Sequence, residues 1–299
     1  MSDHEVFGTL RPLLFTIAYE ILGTAADAED VLQDSYLRWR DADQEQMTDA
    51  RAYLMQIVTR QSLNHLRTVQ RRRENYIGNW LPEPICTEPD ASTDAILAES
   101  VSMAMLLVLE TLNSTERAVF VLSEVFGYSL VEIGEMIGKR DVTVRQIAHR
   151  AREHVQARRK RFEPDAETNR AVIRQFLVAT KTGDVESLME VLAPDVVHIS
   201  DGGGRVSAAR RPVTGAETVA RYLVGLARNA MADMDVELAT YNALPAVRFS
   251  IDGRLDSILM IEVDGASVRA LYAVRNPDKL QTATTVHSLT RRKDRAWKP

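Results

Sequence analysis

One cysteine, Cys86, stands in 299 residues, so neither an internal disulfide framework nor a cysteine zinc cluster can form, and a reducing compartment fits. No apolar run approaches the length of a bilayer span, and the N-terminus has no basic-then-apolar leader. The expectation is therefore a soluble, cytoplasmic chain without a membrane partner. Residues 51–73 lack acid entirely, yet hold Arg51, Arg60, Arg67, Arg71, Arg72 and Arg73. Residues 1–50 are mostly acidic, with Asp27, Glu29, Asp30, Asp34, Asp41, Asp43 and Glu45. The net charge of −5 hides this segregation, which suits a protein meeting both a basic protein surface and DNA. No internal repeat is present. The length and a hydrophobic content of 45% allow two or three domains with real cores.

The densest information lies in residues 112–163. From Asp141 onward, Val144, Ile147, Ala148, Ala151 and Val155 recur at spacings of 3, 4, 7 and 11, the period of a buried helical stripe. Arg145, Gln146, His149 and Arg152 occupy the opposite face, with Arg150 at its margin. Arginine and glutamine are the side chains that read guanine and adenine edges in the major groove. Upstream, Ser129 with Glu132 forms a capping box for a helix burying Leu130, Ile133, Met136 and Ile137, and Gly138 stops it. A preceding helix opens at Asn113 with Glu116, presents Val119, Leu122 and Phe126 inward, and ends at Gly127. Short helix, glycine turn, longer basic helix is the order of a helix-turn-helix. An ordinary bundle with a solvated basic face is the plainer alternative. Against it stands the strong basic excess from Lys139 to Arg161.

Elsewhere the chain separates by composition. Residues 1–76 read as helix punctuated by Gly23, with Thr24 to Asp27 offering a capping-box start. The helix that follows sets Glu29, Asp30, Gln33 and Asp34 against Ala28, Val31, Leu32, Ser35 and Trp39. A long helix from about Ala50 to Glu74 buries Leu54, Ile57, Val58, Leu66 and Val69. Its polar stripe is Gln56, Arg60, Asn64, Arg67 and Arg71. Residues 77–95, with Pro82, Pro84, Pro89, Glu83, Glu88, Asp90 and Asp94, read as an acidic linker. Helix resumes for a second domain over 96–163, and an α+β domain with an antiparallel sheet fills 166–299. Its candidate acid–base groups are His198, Asp201, Asp256 and His287, whose spacing establishes no constellation. The glycines after Asp201 could cradle an anion, or simply turn the chain between strands.

Asp27 to Asp34 resembles the polymerase-binding helix of bacterial extracytoplasmic-function sigma factors. Ala52 to Arg73 resembles their promoter-melting segment, and the helix-turn-helix resembles their minus-thirty-five-reading domain. Trp80-Leu81-Pro82-Glu83-Pro84, Asp201-Gly202-Gly203-Gly204 and Asn276-Pro277-Asp278-Lys279-Leu280 resemble signatures of one subgroup, the sigma J type. In that subgroup a SnoaL-like domain, of the nuclear-transport-factor-2-like cone fold, is fused behind the two all-α sigma domains. Arg205 stands where a lysine often follows the glycines.

The resemblance implies a sigma factor whose partners are RNA polymerase core enzyme and promoter DNA. Asp30, Val31, Gln33 and Asp34 are expected on the core enzyme, and Gln56, Arg60, Asn64, Arg67 and Arg71 on the minus-ten element. Arg145, Gln146, His149, Arg150 and Arg152 are expected on the minus-thirty-five element. Arg158, Arg159, Lys160 and Arg161 fit phosphate contacts or tail solvation. Glu83, Glu88, Asp90 and Asp94 would either tether domains or mimic nucleic-acid charge in the polymerase channel. The three subgroup signatures are expected to form a regulatory interface, the domain packing on the sigma domains through Trp80 to Pro84. The basic tail with Arg291, Arg292, Lys293 and Arg295 would then modulate activity. No catalytic residue, metal or cofactor is expected, and no separate anti-sigma protein is required; a small molecule could occupy the C-terminal cavity. Two alternatives remain at this stage: a free-standing helix-turn-helix regulator with a ligand-sensing domain, and a SnoaL-like cyclase or isomerase.

Overall fold

Helix α1 (Asp3–Leu22) opens the chain, followed by α2 (Ala25–Arg40) and α3 (Ala50–Arg73). The computed structural model describes residues 3–42, 49–73, 75–87, 95–157, 166–230 and 234–291. Leu14, Ile17 and Ile21 of α1, Val31, Leu32 and Trp39 of α2, and Leu54, Val58 and Leu66 of α3 are buried. Each set recurs at helical spacing, so burial of one stripe per helix drives the association. Thr24 forms no cap bond, contrary to the capping box expected there: its hydroxyl binds the Asp27 carboxylate instead. Asp27 also holds His65 Nε2 of α3 at 2.7 Å, tying α2 to α3.

The second helical set is α4 (Ala95–Ser100), α5 (Met103–Glu110), α6 (Ser114–Phe120) running into a π turn at Val121–Val125, α7 (Leu130–Ile137) and α8 (Asp141–Gln156). Asn113 with Glu116 and Ser129 with Glu132 form complete capping boxes. Gly138 caps α7 in the left-handed region at φ 68°, a conformation that is strained for any residue bearing a Cβ. Val144, Ile147, Ala148, Ala151 and Val155 of α8 are all buried, as their period demands. On α7, Ile133 and Met136 are buried, while Leu130 and Ile137 are half-buried.

Charge lies inside this helical assembly. Arg117 of α6 is fully buried; its Nε donates to the Glu20 carbonyl at 2.9 Å and its Nη1 to Glu110. Glu110 also takes Arg73 Nη1, and Arg73 Nη2 donates to the Leu22 carbonyl at 2.7 Å. Ser100 donates to Glu20 Oε1 at 2.7 Å. Burial, against the Ser100 bond and the charge of Arg117, pushes the Glu20 carboxyl up to about 8.

The α+β part comprises α9 (Ala166–Thr182), α10 (Val185–Val191), β1 (Leu192–Asp201), β2 (Val213–Thr214), α11 (Ala216–Ala230), β3 (Asp235–Tyr241), β4 (Leu244–Ile251), β5 (Arg254–Asp264), β6 (Ser267–Val274) and α12 (Pro277–Leu280). The sheet order is β2-β1-β6-β5-β4-β3. It is mixed, not antiparallel throughout: β1 runs parallel to β6, pairing His198 with Leu271. The chain between them crosses over through α11 and returns as a meander, which sets the last strand beside the first in the same direction. The helices lie on the face bearing Val196, Val247, Leu259, Ile261 and Leu271, with Phe176, Leu188, Val219 and Leu223 filling the core.

Two compact units result. One contains Met1–Glu74, Thr87–Arg159 and Val286–Pro299; the other contains Asn75–Cys86 and Lys160–Thr285. Residues Asn75–Cys86 thus group with the sheet, and the segment from Val286 groups with the helices.

Candidate nucleic-acid interface

Helix α8 displays its polar face to solvent. Arg145, Gln146, His149 and Arg150 are exposed, and Arg152 is half-buried. Arg145 is braced by Asp141, its Nη2 at 2.8 Å from Oδ2. Arg152 Nε donates to Glu124 at 2.7 Å, which holds it toward the π turn and away from its neighbours. His149 approaches Glu153 at 3.5 Å and Arg150 approaches Glu116 at 3.9 Å. Exposed pairs of this kind are worth about 0–1 kcal/mol and exchange readily for phosphate or base contacts. Arg158, Arg159, Lys160 and Arg161 lie outside the described residues.

The stripe on α3 has a different environment. Gln56 Nε2 donates to the Glu135 carbonyl at 3.0 Å. Arg60 Nε donates to the Met136 carbonyl at 2.8 Å, and its Nη2 to the Glu135 carbonyl at 3.2 Å. These acceptors belong to the last turn of α7, where helix carbonyls lack intrahelical donors and the dipole favours a cation. Asn64 and Arg67 remain exposed and bond each other at 3.3 Å. The Arg71 side chain lies outside the described residues.

On α2, Asp30, Gln33 and Asp34 are exposed along one face. Val31 is only 3% exposed, so it anchors the helix to the bundle and presents no surface to a partner. That corrects its place among the surface contacts, since its register belongs to the apolar stripe.

The three subgroup signatures meet in one place. Asp201 at the end of β1 is fully buried, and its carboxylate accepts from Tyr76 Oη at 2.5 Å, Gly203 N at 3.0 Å, Leu81 N at 2.9 Å and Lys279 Nζ at 2.7 Å. Lys279 also binds the Leu81 carbonyl and lies 4.2 Å from the centre of the Trp80 ring. Asn276 caps α12 through Asp278 N at 3.1 Å and donates to Tyr76 Oη at 2.8 Å. Burial, then the bond to Asp201, raises the Tyr76 hydroxyl, so it stays a neutral donor. Residues 75–86 are thereby strapped to the sheet. Further along, Ile85 N donates to Asn242 Oδ1 at 3.1 Å, and Glu83 receives Thr282.

Gly203 and Gly204 make room for Asn276 of the α12 cap and for Ile77 of the strap. A Cβ on Gly203 would stand 2.4 Å from Asn276 Nδ2, at a backbone φ of 60°. One on Gly204 would press on Ile77 at 3.0 Å. Glu83 is buried, so it offers no charge to a polymerase channel; Glu88, Asp90 and Asp94 lie outside the described residues. Pro82 and Pro84 lie along the strap, and Leu81 and Leu280 are buried in the same unit. Arg205 reaches Asp278 at 2.8 Å on the surface, a pairing that any cation of similar length makes. Tyr76, Ile77 and Asn79 escaped the sequence reading. Asn79 Nδ2 donates to the Ala209 carbonyl at 2.9 Å, and no local pattern announces a contact 130 residues away.

The acid–base candidates do not converge. Asp256 lies 3.3 Å from Arg275, and Asp201 is consumed by the strap. Burial lowers His198 to about 4; its ring centre lies 5.1 Å from that of Tyr222, and its Nδ1 has no hydrogen-bond partner among the described residues. His287 belongs to the helical unit, stacked on Phe15 with ring centres 4.3 Å apart and 3.9 Å from Glu29. Beyond it, Thr290 N donates to Thr16 Oγ1 at 3.1 Å and Arg291 Nη1 to the Val125 carbonyl at 3.4 Å. Arg292, Lys293 and Arg295 lie outside the described residues.

A bundle with an acidic helix, an arginine-striped helix and a separate helix-turn-helix is the arrangement of a promoter-specificity subunit. The sequence matches Sigma-70 region 2 over residues 6–73 and Sigma-70, region 4 over residues 102–155. The ECF RNA polymerase sigma factor SigJ of Mycobacterium tuberculosis is 36% identical over 290 residues, which span 91% of each chain. The ECF RNA polymerase sigma factor SigG of the same organism is 26% identical over 214 residues, covering 62% of this chain and 58% of that one. The crystal structure of the M. tuberculosis extracytoplasmic function sigma factor SigJ matches with a TM-score of 0.75 at 32% identity, covering 94% of this chain and 99% of that one. The chain belongs to the ECF RNA polymerase sigma factors, in the form carrying a SnoaL-like α+β domain behind two helical sigma domains. RNA polymerase core enzyme and promoter DNA are the partners of such a subunit. Neither a free-standing regulator nor an isomerase is favoured. Among the described residues, no helix is long and apolar enough to cross a membrane.

Proposed function

We propose that this sigma factor rests in a closed form whose minus-ten reading residues are occupied by its own helix-turn-helix domain. The observation that carries this is the bonding of Gln56 and Arg60 to the Glu135 and Met136 carbonyls. Promoter recognition needs those donors for DNA, so α3 and α7 must part before the minus-ten element is read. Asp30, Gln33 and Asp34 dock on core polymerase through charge complementarity, which sets specificity and on-rate. Arg145, Gln146, His149 and Arg150 read the minus-thirty-five element, while Arg152 and the arginines beyond it bind phosphates. The protein acts where the polymerase is, in the cytoplasm.

The SnoaL-like domain controls opening in cis and is regulatory, not catalytic. Support comes from the chain path, which passes between the two units after residues 74, 86, 159 and 285. The strap at 75–86 directly follows α3, and the segment from Val286 ends on α1 beside Glu29 of the polymerase-binding helix. A separate anti-sigma protein is then unnecessary. A small molecule entering between sheet and helices would meet His198, whose buried Nδ1 has no hydrogen-bond partner among the described residues.

The test is fluorescence transfer between dyes at exposed Thr68 of α3 and Val131 of α7, read with promoter-driven transcription. The full chain and a chain ending at residue 164 are compared. Transfer should be high in the free full-length protein and fall when core polymerase and promoter are added. Low transfer in the free protein, or no change in transcription on truncation, would sink the closed form or the cis control respectively.

A further inference from the structure

The first turn of α8 bears a side chain that the core does not use. Val142 is 66% exposed, on a helix whose other valines, Val144 and Val155, are buried. It precedes Arg145 by three residues, Gln146 by four and His149 by seven, so the four project from one side of the helix. In water an apolar, β-branched residue there gains nothing from burial and slightly weakens the helix.

Beside it, Arg145 is held in a defined pose. Its Nε donates to Asp141 Oδ1 at 3.2 Å and its Nη2 to Asp141 Oδ2 at 2.8 Å. That fork consumes two of the five guanidinium N–H groups. The hydrogens left on Nη1 and Nη2 form the end-on pair that can meet guanine O6 and N7. Helix-turn-helix proteins contact base edges with the N-terminal residues of the second helix, which is where Asp141, Val142 and Arg145 stand. Three residues of helix rise about 4.5 Å, against about 3.4 Å per base step, so Val142 and Arg145 reach adjoining base pairs.

We propose that the first turn of α8 reads a guanine beside a thymine, with Asp141 as a positioning residue aiming Arg145 and with Val142 meeting the thymine methyl. This rests on the assignment of α8 to the minus-thirty-five element. Thymine alone offers a C5-methyl in the major groove; cytosine at the same place offers a bare edge and an N4 donor. Exposed Lys139 and Arg140 ahead of the turn supply phosphate attraction without sequence information, so the preference at this turn has to come from Val142 and Arg145.

The experiment uses the full chain with core polymerase and a promoter selected from a randomised library. Each thymine of its upstream element is replaced in turn by deoxyuridine, which removes only the methyl group. With the wild type, one replacement should lower open-complex formation about fourfold, the worth of one buried methyl. Val142→Ala should be indifferent to that replacement. Asp141→Ala should relax the guanine preference at the adjoining pair about threefold to tenfold, with Asp141→Glu restoring it and Asp141→Ala leaving the salt dependence unchanged. No deoxyuridine effect in the wild type, or one that survives in Val142→Ala, overturns the role of Val142. A guanine preference untouched by Asp141→Ala overturns the positioning role. Selection that yields no upstream element at all overturns the assignment of α8, and this proposal with it.

Discussion

Two helices, α3 and α8, carry polar stripes proposed to read DNA, and they meet their surroundings differently. On α8 the stripe faces solvent, its arginines paired with the side-chain carboxylates of Asp141, Glu116 and Glu124. On α3, Gln56 and Arg60 spend donors on carbonyls at the end of α7, although Arg60, Asn64 and Arg67 stay exposed. Both helices show the same periodicity, so amphipathic pattern identifies a polar face without saying whether it is free. Under the proposed closed form, the stripe on α8 is available to DNA and the stripe on α3 has first to be released.

The sharpest way to break that contrast is to remove what fastens the strap next to α3. Lys279→Ala leaves Asp201 as a buried charge without its cation, and should cost the α+β unit about 3–5 kcal/mol in urea unfolding. If the strap keeps α3 covered, transcription should also rise at temperatures where the variant stays folded; unchanged transcription would separate the strap from the cover.

A second test uses pH. The Glu20 carboxyl is raised from 4.5 to about 8 by burial in the helical unit. A raised acid stabilises most when both states are protonated, so its contribution is full below 4.5 and is lost as pH climbs toward 8. His287, lowered by burial and then by Arg11, works in the opposite sense, losing stability as pH falls below 6.5. Comparison with Glu20→Gln isolates the first term: the stability of wild type relative to this variant should fall between pH 4.5 and about 8. A flat difference would show that Glu20 is hydrated.

Sharpening the contrast needs only arginines. Arg145→Ala should cost about 1–3 kcal/mol of discrimination between matched and scrambled upstream elements, in the free protein and with core polymerase alike. Arg60→Ala should leave binding of the free protein to the upstream element unchanged and lower minus-ten selectivity only with core polymerase. Equal losses for both variants in the free protein would mean that α3 is already open. The smallest change is Arg205→Lys, which keeps an exposed ion pair to Asp278 and should shift stability by no more than about 0.5 kcal/mol.

What the residues announce, and what they conceal, follows from range. Val144 to Val155 of α8 declare their burial because a helix repeats every 3.6 residues, and Asn113, Ser129 and Gly138 declare ends of α6 and α7 because caps are made within four residues. Val31 shows the limit of motif transfer: it stands inside the polymerase-binding motif, yet its register turns it into the core. Thr24 has the residue type of a cap, but its hydroxyl donates to the Asp27 carboxylate. The parallel pairing of β1 with β6 was invisible, since nothing in either strand records which neighbour closes the sheet.

The order of the modules, the helix faces and the family were determined by the sequence itself, because they depend on spacing and on residue chemistry within a few turns. Only the tertiary structure decided that Trp80 to Pro84 straps onto a buried Asp201–Lys279 pair, that the glycines make room for Asn276 and Ile77, and that Arg60 lies on α7. Those contacts join residues far apart in the chain, Arg60 and Glu135 by 75 positions and Asp201 and Lys279 by 78, where burial and hydrogen-bond geometry choose the partner and periodicity is silent.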